Sequence, residues 1–382
     1  MFNKKRLYIL MVLASLLIIL VGVSSNVAAK EIKIGVQGVL SGVAAAIGDN
    51  ARQGAELLAE QVNQAGGIKG NKIKLVVIDD KADPNDAVEA TRRLIEADKV
   101  VAIANMGTST TFLAASKIAN RYKVPMVGHI QSNPEITKAS PYAFRICVTA
   151  AGLAYPIADY AINEMGMKNF AVMTRNDGYG TSITDFFKKK VQELGGTVTT
   201  AQAYQPAEKD FKAYLIKIQA TKSDAVMLTG FFADSGLITK QAGELGITPK
   251  IIGQNTLTAP SYRKIAGAAS EGAIFSANYL PGVVKTNAAE KFIKDWKKKH
   301  GKMPEVYAAH GYDALAVILK AMKMGDPTSA SIQKNLLKIT NFDGASGTIK
   351  KFNSNGDVEK DVVIVKIEGD KLIPLKTYLV TE

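Results

Sequence analysis

The sequence is poor in the residues that build disulfides and metal clusters. Its 382 residues include one cysteine, three histidines and one tryptophan. One cysteine cannot form an internal disulfide, and three scattered histidines are too few for a local zinc cluster. No GxGxxG loop follows the first apolar segment, and no GxxxxGK[ST] loop occurs anywhere. No motif for a metal, dinucleotide or nucleotide is therefore present, and we expect no cofactor.

A catalytic nucleophile is not evident either. No GxSxG elbow occurs. Cys147 falls in a predicted strand over 144–148, which indicates a buried structural thiol. His129 follows an apolar segment, where a structural histidine is the favoured interpretation and a cleft-lining one the alternative. We therefore expect a protein that is not an enzyme.

The charge balance is basic but dispersed. Lysine and arginine number 48 against 35 acidic residues, a net charge of +13, and 47% of the residues are apolar. The basic runs at 188–190 and 297–299 are short, which is typical of solvated helix faces, so we expect no nucleic-acid partner. The length suits about two globular domains.

The first 29 residues have the pattern of a secretory signal peptide. Basic residues at 4–6 precede an uncharged apolar segment over 7–23, and small residues end at Ala29. We expect cleavage after about Ala29 and a periplasmic location. A retained membrane anchor is the less favoured alternative, because about twenty apolar residues are needed to span a bilayer.

Short β-branched segments alternate with amphipathic ones along the remainder. Helices are predicted over 49–64, 112–122 and 307–322, and a turn between strands over 354–357. Such alternation predicts an α/β fold with parallel sheets, with a TIM barrel as the competitor on pattern alone. The predicted strands are 32–36, 73–78, 100–104, 125–127, 170–174, 225–228, 251–252 and 273–276.

Polar and aromatic residues follow the predicted strands, where ligands bind in open parallel sheets. Hydroxyl residues at 108–111 lead into a helix, whose unpaired N–H groups can hold an anion; a simple N-cap is the alternative. Tyr179 and Phe231 could line a cleft or belong to the core. The strand-end residues, which we expect to converge, are Ser41, Thr108, Ser109, Gln131, Ser132, Tyr179, Phe231 and Asn255.

Several motifs, in order, resemble the periplasmic Leu/Ile/Val-binding protein family, the type I solute-binding proteins of branched-chain amino acid ABC transporters. They are IKIGVQGVLSGVAAAIGDN at 32–50, NQAGGIKGN at 63–71, DDKADP at 79–84, the hydroxyl residues at 108–111, NPE at 133–135, DGYG at 177–180 and YAAHGYDA at 307–314. The resemblance implies a type I periplasmic-binding-protein fold, with two doubly wound parallel-sheet lobes joined by three crossings, near Cys147, Asn278 and Lys350. Lobe I would comprise 30–147 plus 279–350, and lobe II 148–278 plus 351–382.

The resemblance also implies roles for site residues. Thr108 and the Ser109 backbone would hold the ligand carboxylate, Ser132 and the Gln131 backbone would hold carboxylate and amino groups, and Tyr179 would cover the ligand. Three features depart from the family. Asn255 replaces the acidic partner of the ligand ammonium, and Ile47 replaces an aromatic residue beside the side-chain pocket. The paired cysteines of some members are absent, with Ala82 and Gly107 in their places.

The implied function is that of the extracytoplasmic binding subunit of an ABC importer, a monomer that delivers its ligand to a membrane permease. A branched-chain or other small apolar amino acid is the first candidate ligand. Because of Asn255, an aromatic or aliphatic organic acid without the amino group is the alternative. A ligand-sensing receptor lobe, which would need a separate signalling partner, is the alternative of another class.

Overall fold

The computed structural model describes residues 30–42 and 44–381, so the predicted signal peptide lies outside the described residues. The first part of the chain forms a parallel five-stranded sheet in the order β2-β1-β3-β4-β5. Its elements are β1 (Glu31–Gly38), α1 (Ala45–Gln64), β2 (Lys72–Asp79), α2 (Pro84–Glu96), β3 (Ile103–Met106), α3 (Ser109–Arg121), β4 (Met126–Gly128), α4 (Glu135–Lys138) and β5 (Ala143–Arg145).

The middle of the chain repeats the alternation around a second sheet. A π-helical turn (Tyr160–Glu164) extends the first helix of this part, and two 3₁₀ turns (Asn255–Thr258, Gly267–Ser270) flank a short one. The elements are α5 (Ala150–Asp159), β6 (Asn169–Arg175), α6 (Gly180–Glu193), β7 (Thr197–Tyr204), α7 (Lys212–Gln219), β8 (Ala225–Leu228), α8 (Phe232–Glu244), β9 (Lys250–Gly253), α9 (Pro260–Ala266) and β10 (Ile274–Ala277).

The last part of the chain contributes to both sheet-bearing halves. It comprises α10 (Asn287–His300), α11 (Val306–Lys323), α12 (Ser329–Leu336), β11 (Thr340–Gly344), β12 (Gly347–Lys351), β13 (Lys360–Glu368) and β14 (Lys371–Val380). The second sheet runs β14-β13-β10-β9-β8-β6-β7, and β13 is antiparallel to both β10 and β14. Strands β13 and β14 form a hairpin, whose short connection permits only antiparallel pairing.

Helix α11 packs on α1 although the second sheet separates them in sequence. A Cβ atom on Gly54 would lie 2.0 Å from the Ala308 carbonyl oxygen, and one on Gly311 would lie 2.1 Å from that of Ala51. Glycine is required there because the two backbones approach so closely. Strands β1–β5 form the first sheet, whereas β6–β10, β13 and β14 belong to the second, so the chain leaves the first half after β5 and returns to it with α11. The lobe boundaries given above stay a prediction.

The α/β prediction is confirmed, and the structure is not a TIM barrel, but several element bounds were wrong. The strand predicted over 100–104 lies at Ile103–Met106, because the Val100 N–H closes the end of α2 by bonding to the Leu94 carbonyl. Cys147 is buried as predicted but follows β5 instead of lying in a strand. Edge strand β7 was missed because its mixed polar sequence, TVTTAQAY, carries no apolar run.

Candidate functional site

The loop between β3 and α3 carries the predicted anion-binding hydroxyls. Thr108 caps α3: its Oγ1 accepts the Thr111 N–H at 3.3 Å, and Thr111 Oγ1 accepts the Thr108 N–H at 3.0 Å. This reciprocal pair is a capping box, so the N-cap interpretation holds for Thr108. The Ser109 hydroxyl is buried and finds no hydrogen-bond partner among the described residues. Of the two, Ser109 therefore has the hydroxyl that is free to meet a ligand.

The loop after β4 lies beside the first one and is tied to it. Gln131 Nε2 donates to the Gly107 carbonyl at 2.8 Å and to Asn105 Oδ1 at 3.0 Å. The Ser132 hydroxyl is also buried without a partner in the described part of the chain. Burial lowers the pKa of His129 to about 3, so its imidazole is neutral at physiological pH. Two serine hydroxyls from adjacent strand ends are thus buried and unpaired.

Two aromatic rings form the opposite wall, from the second half. The rings of Tyr179 and Phe231 stack with centroids 5.1 Å apart, and the Tyr179 hydroxyl donates to Gln254 Oε1. Burial raises the pKa of Tyr179 well above its usual value, so the phenol stays protonated. The Arg175 guanidinium lies 4.5 Å from the Phe231 ring centroid.

The acidic side chains of this wall are already paired. Arg175 Nε lies 2.6 Å from Asp177 Oδ2, and its Nη1 lies 3.2 Å from Asp234 Oδ2. Asp234 Oδ2 also accepts a hydrogen bond from the Tyr204 hydroxyl. Both carboxylates are therefore committed to a cation of their own half.

The two walls meet at a small cavity of about 10 Å³, which has room for about one water molecule. The halves also touch beside it, where Asn133 Nδ2 donates to the Gly178 carbonyl at 2.6 Å and the Gly178 N–H donates to Thr110 Oγ1 at 3.3 Å. The cleft is thus closed over the cavity. The lining residues are Ile47, Gly107, Thr108, Ser109, Ile130, Gln131, Tyr179 and Phe231.

Six of the predicted site residues line this cavity, and three do not. Ser132 is buried in the adjoining loop, whereas Ser41 is exposed and lines the outer cleft. Asn255 is buried in the turn after β9, where its Oδ1 accepts the Asn278 N–H at 3.4 Å. Its neighbour Gln254 reaches Tyr179 instead. Ile130, an apolar residue inside a polar loop, also lines the cavity, and no sequence pattern predicted it.

A buried carboxyl group lies behind the first loop. Asp80 Oδ1 accepts the Ala82 N–H at 3.0 Å, and Oδ2, beside the Thr111 hydroxyl, makes no hydrogen bond of good geometry. Burial raises the pKa of Asp80 to about 6. Gly107 leaves room for this group, since a Cβ atom there would lie 2.7 Å from Asp80 Oδ2.

The described residues offer no metal site and no membrane span. No group of three or more His, Cys, Asp or Glu side chains is placed to hold a metal ion in residues 30–42 and 44–381. Over the same ranges, no helix combines the length and the apolar character needed to cross a bilayer.

Comparison with known proteins finds similar chains among periplasmic and amino acid-binding proteins. The model of a family described as periplasmic binding protein matches residues 31–371. A Leu/Ile/Val-binding protein homolog of Brucella melitensis is 28% identical over 357 residues, 92% of this chain and 95% of that protein. A leucine-binding protein of Thermotoga maritima superposes with a TM-score of 0.85 at 30% identity, covering 91% of this chain and 98% of that one.

A branched-chain amino acid transporter substrate-binding protein of Streptococcus pneumoniae, solved in complex with isoleucine, gives the same TM-score of 0.85. It is 26% identical and covers 92% of this chain and 99% of that one. These matches run through both sheet-bearing halves.

Proposed function

Since the chain belongs to the periplasmic binding protein family, the solute-binding proteins of ABC transporters, we propose that it holds a small carboxylate between its two halves and delivers it to a membrane permease. The observation that carries this proposal is the unpaired, buried Ser109 hydroxyl at the start of α3, facing a cavity that both halves close. A helix N-terminus with a free hydroxyl suits a carboxylate, because the dipole and the hydroxyl proton both favour negative charge.

A branched-chain or other small apolar amino acid is the first candidate ligand. Ile47, Ile130 and Phe231 give the cavity an apolar lining, which suits a ligand with an apolar side chain. The relatives named above as binding leucine, isoleucine or valine support the same class.

An organic acid without the ammonium group is the second candidate. An ammonium buried in this cavity needs an acceptor, preferably a carboxylate. Asn255 is neutral and engaged by the Asn278 N–H, and Asp177 and Asp234 are paired with Arg175. A ligand with a single negative charge would leave no such ammonium unpaired.

Three matched compounds separate these candidates by isothermal titration calorimetry. Leucine carries both charged groups, 4-methylpentanoate lacks the ammonium, and leucinamide lacks the carboxylate. We expect leucinamide not to bind. Tighter binding of leucine than of 4-methylpentanoate supports the amino-acid candidate, and the reverse order supports the organic acid. If leucinamide binds as tightly as leucine, the carboxylate assignment is wrong.

We further infer export to the periplasm, with cleavage after about Ala29, and a monomer that releases its ligand unchanged. The cavity lining offers hydroxyl, amide and apolar groups but no evident base. N-terminal sequencing of the exported protein tests the cleavage site, and mass spectrometry of the ligand after prolonged incubation tests for turnover. A ligand-sensing role stays the alternative, and growth on the ligand as sole carbon source with and without the gene distinguishes it.

A further inference from the structure

The loop formed by residues 131–134, here called the ligand loop, is held from behind by one buried arginine. Arg145, the last residue of β5, has no exposed surface. Its Nη1 donates to the Gln131 carbonyl at 3.0 Å and to the Asn133 carbonyl at 2.9 Å. Its Nη2 donates to the Pro134 carbonyl at 3.4 Å, so three of the four carbonyls of the ligand loop bond to one guanidinium.

A residue from the far end of the chain holds that guanidinium in place. Asp357, in the turn between β12 and β13, has its Oδ1 at 2.6 Å from Arg145 Nε. The Thr137 hydroxyl bridges the pair: its Oγ1 accepts from Arg145 Nη2 at 2.8 Å and donates to Asp357 Oδ1 at 2.8 Å. The guanidinium thereby makes four hydrogen bonds and an ion pair, which its five N–H groups allow and the three N–H groups of a lysine ammonium do not.

The orientation of the loop carbonyls matters for an anionic ligand. A carbonyl oxygen facing the cavity would repel a carboxylate, whereas the Gln131 carbonyl is bonded to Arg145 although Gln131 lines the cavity. The same loop also reaches the second half, because Asn133 Nδ2 donates to the Gly178 carbonyl next to Tyr179. The arginine thus supports both the anion-binding loop and the contact that closes the cleft.

We infer that Arg145, held by Asp357 and Thr137, is a positioning residue that sets the ligand loop for carboxylate binding and for closure of the two halves. This inference rests on the proposed function. It assigns a role in binding to a turn that lies outside the cavity, between β12 and β13.

The variant Arg145→Lys tests it, because lysine keeps the positive charge opposite Asp357, but its three N–H groups cannot replace four hydrogen bonds to three loop carbonyls and the Thr137 hydroxyl. The matched control is Lys360→Met, which removes another buried cation, at the start of β13. Lys360 is buried, and its Nζ donates to Ser346 Oγ at 2.6 Å, a partner outside the ligand loop. Both variants are compared with the unaltered chain in affinity for leucine and 4-methylpentanoate, and in hydrogen exchange of a peptide covering 131–138.

We expect Arg145→Lys to weaken binding at least tenfold and to accelerate exchange of the loop peptide at least tenfold at a temperature where the variant is fully folded. Lys360→Met should leave both quantities within twofold, although it lowers the melting temperature. Unchanged affinity and unchanged loop exchange in Arg145→Lys would overturn the inference, since a purely structural role changes only the melting temperature. An equal loss of affinity in the control would overturn it as well.

If Arg145→Lys does not fold, Thr137→Val replaces it, because it removes only the bridging hydroxyl at similar volume. We then expect a three- to tenfold loss of affinity and faster loop exchange, and unchanged values would overturn the inference. If the unaltered chain binds neither probe, the proposed function fails, while hydrogen exchange of the loop still decides whether Arg145 positions it.

Discussion

Replacing Ser109 by alanine should change stability and affinity in opposite directions. Ser109 is 2% exposed, and its hydroxyl has no hydrogen-bond partner among the described residues. An unsatisfied buried polar group costs roughly 1–3 kcal/mol, and part of that cost disappears when the hydroxyl is removed. We therefore expect Ser109→Ala to raise the free energy of unfolding by about 1 kcal/mol without ligand, after allowance for the lost packing of one oxygen.

The affinity should fall because the bound carboxylate loses a charge-assisted hydrogen bond. Such a bond contributes about 1.5–3 kcal/mol to binding, so its loss should raise the dissociation constant roughly 10- to 100-fold. Urea unfolding of the unliganded protein and calorimetric titration with leucine and 4-methylpentanoate measure the two quantities. Both probes should lose affinity equally, since both carry the carboxylate.

The control is Ser116→Ala, a buried serine of the same helix whose hydroxyl donates to the Leu113 carbonyl at 3.1 Å. It should lose up to about 1 kcal/mol of stability and keep its affinity. If Ser109→Ala lowers stability as the control does and binds as tightly as the unaltered chain, the hydroxyl faces no ligand and the site assignment is refuted.

Three further changes have defined outcomes. Asn255→Asp keeps the oxygen that accepts the Asn278 N–H and adds a negative charge, so leucine should gain and 4-methylpentanoate lose on the order of 1 kcal/mol in titrations, and a shift of both in one direction contradicts this. Asp80 binds its proton more tightly when folded, with a pKa of about 6 against 3.8, so its contribution to stability is greatest at low pH and is lost as the pH rises through 6. As the pH rises from 4 to 7, the free energy of unfolding of Asp80→Asn should therefore increase by up to roughly 3 kcal/mol relative to that of the unaltered chain, as measured by urea unfolding. A difference that does not depend on pH would contradict the burial argument. Gly54→Ala should lower the free energy of unfolding by more than about 3 kcal/mol, although helix propensity alone predicts an increase of about 1 kcal/mol. An increase would show that α1 and α11 separate at little cost.

The sequence was sufficient to predict the alternation of strands and helices, because buried parallel strands such as β6 and β8 contain continuous apolar runs. It failed for β7, an edge strand whose side chains are largely solvent-facing and therefore need not be apolar. It also placed the start of α3 three residues late, because hydroxyl residues are poor helix formers in the interior yet good ones at a cap.

The strand-end argument predicted five residues of the cavity, since the carboxyl ends of parallel strands share one edge, and the family resemblance supplied the sixth, Ile47. It could not predict which way a side chain turns. Asn255 and Gln254 are adjacent in the sequence, yet only Gln254 reaches Tyr179, and that choice depends on the turn after β9. The support of the ligand loop was equally hidden, because Arg145 and Asp357 are distant in sequence and meet only through tertiary folding.

The seating of α11 on α1 has a consequence for biogenesis. Gly54 and Gly311 are about 250 residues apart in the sequence, and such non-local contacts form late. As the chain emerges amino-terminus first, the five-stranded sheet keeps an uncovered helix until nearly all of the polypeptide has been made. A nascent chain that cannot complete its own core stays unfolded for longer, which is compatible with the export proposed above.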